Sequence, residues 1–198
     1  MQRFNSKTCC VRGSLRRTLK TMRTLLLLAV TAGLCLSQPP DLKSMSGHAR
    51  SLQSQVKVNI VKAAEKMPAE DYSFRPTPDI RSYAELIAHV ADANYLFCSA
   101  ALNDKNPGPK IEEAVKKDAT KPKAAIVEAL TASFAYCDKA YAAMTDQTAS
   151  EPVKFFGQER ARIGVLSFNT SHNFEHYGNI VTYLRMKKIV PPSSERSN

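Results

Sequence analysis

The sequence predicts an all-α fold, a four-helix bundle, and three observations point to it. Four stretches carry apolar residues at helical spacing. No stretch shows the strict alternation, bounded by turn residues, that would mark a strand. The connection between the second and third stretches, Asn103 to Thr120, is long for a turn between antiparallel neighbours and suits a crossover. At 198 residues and 43% hydrophobic content, the chain has enough apolar material for one domain with its own core.

The chain divides into residues 1–37, an N-terminal extension and signal peptide; 38–47, a linker; 48–192, the bundle; and 193–198, a tail. Met22-Arg23 precedes an apolar run from Leu25 to Leu36, too short for a comfortable membrane span and ended by Pro39-Pro40. This pattern predicts a secreted or periplasmic protein with no stable membrane anchor after cleavage, which would fall after Ser37 or Cys35; the alternative is an uncleaved N-terminal anchor. Met22 is an alternative start. The formal charge of +10 belongs largely to this leader: seven of the 28 bases and none of the acids lie in 1–37, leaving 21 bases against 18 acids. That balance gives no reason to expect a nucleic-acid partner.

The first helix is expected from about His48 to Met67, where Leu52, Val56, Ile60, Ala63 and Ala64 recur on one side and Pro68 stops the run. Three prolines make 68–81 an ordered connection, with Tyr72 and Phe74 as its anchors. The second helix opens on a capping box, Ser82-x-x-Glu85, and carries Leu86, Val90, Ala93 and Phe97 inward. One short helical turn is allowed for in the Lys/Glu-rich crossover. The third helix is expected over Lys121 to Thr145, with Thr120 as a cap and Pro122 in the first turn. Residues 146–162 read as an irregular link. The fourth helix, from about Gly164 to Lys187, turns Leu166, Ile180 and Leu184 inward.

The chain's four histidines are His48, His89, His172 and His176. His172 and His176 stand one helical turn apart and project from one face of the fourth helix. Such a pair is often only a surface feature, and His89 alone would fit a core histidine. Counted at about 100° per residue from Leu86, His89 falls near −60°, on the inward stripe of the second helix. His89, His172 and His176 therefore form one economical three-histidine site for a divalent metal, with Zn or Ni as the expected ion. No Glu-x-x-His pair surrounds them, so a single ion suits the set better than a di-iron centre. Glu85, Asp92, Asn169 and Tyr183 are candidate supporting groups around that ion. His48, beside Gly47, reads as solvated.

Pro68-Ala69-Glu70-Asp71-Tyr72-Ser73-Phe74-Arg75-Pro76-Thr77-Pro78, followed by Arg81-Ser82-Tyr83-Ala84-Glu85-Leu86-Ile87-Ala88-His89, resembles the DinB/YfiT-like proteins of the DinB superfamily. So does His172-Asn173-Phe174-Glu175-His176-Tyr177-Gly178 with Tyr183-Leu184-Arg185. The resemblance spans about residues 46–192 and implies a bundle with a long crossover between helices 2 and 3. It also implies one divalent ion on three histidines, which map onto His89, His172 and His176. It extends to enzymes that transfer or isomerise substrates with low-molecular-weight thiols. A small-molecule substrate, such as a thiol, and a metal-dependent S-transferase or hydrolase activity are the resulting expectations. The alternative is a non-catalytic metal-binding or structural bundle. A homodimer is also an expectation.

Outside the leader the chain has two cysteines, Cys98 and Cys137. Each lies 16 residues past its helix's expected start, Ser82 or Lys121, about 24 Å along the axis. Parallel helices 2 and 3 would bring them level, and a disulfide between them is predicted. The alternative is a pair of buried reduced thiols.

Overall fold

The computed structural model describes residues 40–195; the leader, its cleavage site and its cysteines lie outside that range. Helix α1 spans Met45–Lys66. It begins earlier than the apolar pattern indicates, because Ser44 Oγ accepts the Gly47 N–H at 3.0 Å and the Asp146 carboxylate accepts the Met45 and Ser46 N–H groups. Three residues read as linker thus belong to a capped helix. Pro68 follows the helix, and a 3₁₀ turn at Ala69–Asp71 leads to Tyr72, whose hydroxyl donates to the Ala64 carbonyl at 2.6 Å.

Helix α2, Tyr83–Leu102, starts on the predicted capping box: Glu85 N–H donates to Ser82 Oγ while Ser82 N–H donates to Glu85 Oε2. The crossover holds a short helix, α3, at Ile111–Lys117, with Ile111 and Val115 buried. Helix α4 spans Lys123–Ala143. Its N-cap is Pro122 rather than Thr120, whose hydroxyl and N–H both turn back to Asp118. Helix α5 spans Arg162–Met186, and its buried line includes Leu166, Ile180 and Leu184. The tail is partly fixed: Ser193 N–H donates to the Tyr177 hydroxyl, which in turn donates to Ser193 Oγ, and Glu195 pairs with Lys66.

The link read as irregular contains a small hairpin, β1 at Pro152–Phe155 and β2 at Gln158–Ala161, paired antiparallel. Phe156 and Gly157 at its tip both have positive φ, 48° and 76°, the two-residue turn that matches strand twist. Four-residue strands with one buried side chain between them, Val153, leave too little alternation to be seen in the sequence. The all-α assignment stands, with this hairpin as an addition.

Side-chain pairs give the helix directions. Asn94 meets Ser133 and Cys98 meets Cys137, a constant offset, so α2 and α4 run parallel. Lys57 pairs with Asp138 and Lys123 reaches the Glu65 carbonyl, so α1 and α4 are antiparallel. Asn173 meets Asn94 and Tyr183 meets Tyr83, which makes α5 antiparallel to α2. The parallel pair requires the long crossover that α3 occupies.

The apolar core falls into two clusters, one around Val56, Ile60, Ile87, Leu130 and Leu184, the other around Phe97, Cys137, Tyr141 and Leu166. Between them lies a buried polar layer. Asn173 Nδ2 donates to Asn94 Oδ1 at 3.0 Å, Asn94 Nδ2 to Ser133 Oγ at 3.2 Å, and Thr170 Oγ1 to Gln53 Oε1 at 3.3 Å. All four long helices contribute. Among the described residues no helix is long and apolar enough to cross a membrane.

Candidate metal centre

Helix α2 brings His89, and α5 brings His172 and His176, to one place: one ring nitrogen from each lies within 4.8 Å of the other two. The Nε2 atoms of His172 and His176 are 3.0 Å apart. Nitrogens sharing one tetrahedral ion stand about 3.3 Å apart, so the spacing suits a common ion after small ring adjustments. Burial, followed by the neighbouring positive charge of the other histidines and Arg81, lowers the pKa of His172 to about 4. Burial and the charges of His89 and Arg81 likewise bring His176 to about 4, against the opposing pull of Glu175 and Glu112. Both rings are therefore neutral at pH 7 and carry the lone pairs that a metal needs. At 3.0 Å one Nε2 can donate to the other, and a cation between the rings takes the place of that proton and uses both lone pairs. His172 Nδ1 is buried without a hydrogen-bond partner among the described residues, so the protein fixes that ring by packing, including the edge of Phe97 at 5.3 Å between centroids.

His89 is fixed differently. Its Nδ1 lies 2.8 Å from Glu112 Oε2, on α3. Burial pushes the Glu112 carboxyl up, but hydrogen bonds from Lys116, Arg81 and His89 outweigh it and hold the pKa at about 2. An ionised carboxylate can only accept, so His89 Nδ1 carries a proton, and Nε2 is the nitrogen left to serve the site. The other oxygen, Oε1, accepts from Arg81 Nε at 2.9 Å and Lys116 Nζ at 2.7 Å. Three donors from three places along the chain thus converge on one carboxylate that is 14% exposed.

The four supporting candidates make no hydrogen bond to the three histidines among the described residues. Glu85 completes the capping box and pairs with Arg75 at 3.0 Å. Asp92 accepts the Ile111 N–H through Oδ1 and the Glu112 N–H through Oδ2, both at 2.8 Å, and so caps α3. It acts on the site through Glu112, by holding the helix that presents it. Asn169 is buried against Tyr141 and Cys137. Tyr183 donates to the Arg81 carbonyl at 2.6 Å and stacks obliquely on Tyr83. Their position on a helix face was legible, but their partners came from segments whose path was not. Glu112 itself went unmarked, inside a Lys/Glu-rich run that carried no motif; the only signal was the spacing of Ile111 and Val115 beside it.

Cys98 and Cys137 are joined by a disulfide, with Cα atoms 5.2 Å apart. His48 lies on α1 beside a surface groove with Leu52 and Ile163, away from the triad.

A cavity of about 600 Å³ opens beside His176, lined by Arg75, Arg81, Lys116, Asn179 and Tyr183 among others. On the other side of the triad Phe97 packs on Phe168 at 5.4 Å, and Phe168 on Phe155 of the hairpin at 6.1 Å. The centre therefore lies between a polar cavity and an aromatic wall.

Among solved structures, a DinB-like protein from Bacillus cereus matches with a TM-score of 0.58 at 16% identity, covering 77% of this chain and 98% of that one. A DinB-like protein from Bacillus subtilis matches with a TM-score of 0.58 at 17% identity, over 75% of this chain and 99% of that one. A mycothiol-dependent maleylpyruvate isomerase matches with a TM-score of 0.56 at 16% identity, over 68% of this chain and 60% of that longer one. At such identities the likeness is one of fold. A search of curated proteins finds no match. The family model of the DinB superfamily matches residues 54–180, from the middle of α1 to within two turns of the end of α5, and the chain belongs to that superfamily.

Proposed function

We propose that the protein is a secreted or periplasmic enzyme that holds one divalent ion, Zn or Ni, on His89, His172 and His176. It acts on a small molecule by thiol transfer or hydrolysis. The observation that carries this reading is the convergence of three imidazoles, two kept neutral by burial and neighbouring positive charge and one oriented by Glu112. Such a set leaves coordination positions open, which distinguishes a reactive site from a closed structural one. A bound ion would supply Lewis-acid activation, lowering the pKa of a thiol or a water at neutral pH.

The protein's own groups prepare the rest. Glu112 keeps Nε2 of His89 turned to the centre. Phe97 shields the His172 ring from bulk water, which strengthens electrostatic interactions at the site. The cavity beside His176 gives a substrate access. The solved mycothiol-dependent isomerase shares the fold and supports a thiol as one reactant. The leader's signal-peptide pattern supports export, and the near balance of charge beyond residue 37 gives no reason to expect a nucleic-acid partner.

Elemental analysis of the purified mature protein tests the site, with about one ion per chain expected and most of it lost in His176→Ala. Stoichiometric metal after replacement of all three histidines would overturn the assignment. Turnover is then tested with electrophile and thiol pairs and with ester and amide panels. A loaded protein that turns over nothing is a binding bundle rather than an enzyme.

A further inference from the structure

The cavity beside His176 is lined by cations and acids in comparable number, so its sum of charge says little; the bonding of each group says more. Glu85 is consumed by the Ser82 N–H and Arg75, and Arg75 also donates to the Ile80 carbonyl. Glu112 is consumed by His89, Arg81 and Lys116. Asp79, the remaining acid on the cavity wall, makes no hydrogen bond or ion pair among the described residues. Arg81 differs from the other cations. Only its Nε is used, on Glu112 Oε1 at 2.9 Å, and neither Nη makes a hydrogen bond among the described residues. Its backbone is fixed as well, since Tyr183 donates to its carbonyl at 2.6 Å and the next residue is the N-cap of α2.

A guanidinium anchored through Nε cannot swing freely, and its two Nη groups retain four N–H donors. Arg81 lines the cavity together with His176. A planar anion with two oxygens matches a guanidinium edge through two parallel hydrogen bonds, which a lysine cannot reproduce. Deepening the reading above, and resting on it for the reactive centre, we propose that this cavity binds a carboxylate group of the substrate on the free edge of Arg81. The remainder of the molecule then extends past His176 toward the three histidines. Glu112 becomes the hinge of the arrangement, because one carboxylate orients both the metal ligand His89 and the substrate anchor Arg81.

Benzoate and its neutral isostere benzamide are the probes, titrated into the full mature protein with the metal removed and followed by two-dimensional NMR. Benzoate is expected to shift the Asn179 side-chain amide and His176 backbone signals, with benzamide binding at least about tenfold more weakly, in keeping with a charge-assisted bidentate pair. Arg81→Gln should abolish the discrimination, and Arg81→Lys should recover only a minor part of it. Circular dichroism melts check that both variants fold; if Arg81→Gln does not, Arg81→Lys carries the test. Equal binding of the two probes, benzoate binding unchanged by the variants, or no shift at Asn179 would each overturn the proposal. These outcomes need no metal, so they stand apart from the metal analysis that tests the centre itself.

Discussion

Removing the Cys98–Cys137 bridge by Cys98→Ala/Cys137→Ala tests the thermodynamic role of the parallel helix pair. The bridge spans a sequence separation of 39 and joins two helices whose only covalent connection is otherwise the crossover. In the chain-entropy description, closing a loop of that length in the unfolded state is worth about 4 kcal/mol at 25 °C. Both side chains are buried, so the alanines also lose a little packing in the cluster around Phe97 and Tyr141. For a domain of this size each kcal/mol moves the melting temperature by about 2–4 °C, which gives a fall of about 8–16 °C. The assay is a pair of calorimetric melts on metal-free protein, the second on wild type reduced and alkylated under denaturing conditions. Mass spectrometry counts the blocked thiols. A melting temperature within about 3 °C of wild type in both samples would refute the reasoning. Two cysteines that alkylate without reductant would refute it sooner, and would also remove support for an oxidising compartment.

Glu112→Gln, which keeps the shape but lets the side chain offer an N–H where His89 needs an acceptor, should weaken metal affinity about 10–100-fold. Chelator competition measures it, and an unchanged constant would exclude the orienting role. Asp92→Ala, which uncaps α3, should weaken metal in the same direction although it touches no histidine. Acidification should destabilise the metal-free protein. His172 and His176 have folded pKa values of about 4 against an ordinary 6.5, so the unfolded chain binds more protons between those values. Stability is therefore fully present above about pH 6.5 and lost as pH falls toward 4, and the loss should diminish in His172→Ala/His176→Ala; melts at pH 7 and pH 5 decide. Asn94→Ala removes the nearer acceptor of Asn173 Nδ2, leaving it Gln53 Oε1 at 3.5 Å, and should cost about 1–3 kcal/mol by urea unfolding.

The triad was legible because both its helices announce themselves. His89 sits one turn past a capping box and on an apolar stripe, and His172 and His176 share a face by spacing alone. What the spacing could not show was the company they keep. Glu112 reaches His89 from a separation of 23 residues, across a crossover whose polar sequence carries no period strong enough to place it. Asp92 looked like a neighbour of the metal because it lies three residues past His89; its side chain instead faces the N–H groups at the start of α3. The start of α1 was missed for a related reason. Apolar periodicity fades toward Met45, while the residues that fix the first turn, Ser44 and Asp146, are polar and one of them is far away in sequence. The hairpin was hidden by its length, since Phe156-Gly157 is not the Asn-Gly pair that usually marks such a tip.

The tethering of α3 governs where this fold will accept new sequence. Crossovers between helices are the usual choice for grafting peptides or for opening new chain ends. Here the segment's first half is closed to such use. A Cβ on Gly108 would meet the Tyr95 side chain at 2.9 Å, and residues 111–116 carry the N–H groups held by Asp92 and the carboxylate held by His89. An insertion there would shift Glu112 out of reach by whole residues. Residues 118–121 are different: they lie on the surface, and their described hydrogen bonds are local to the turn. A graft placed between Asp118 and Lys121 leaves α3 anchored at its start, and the histidine centre with it.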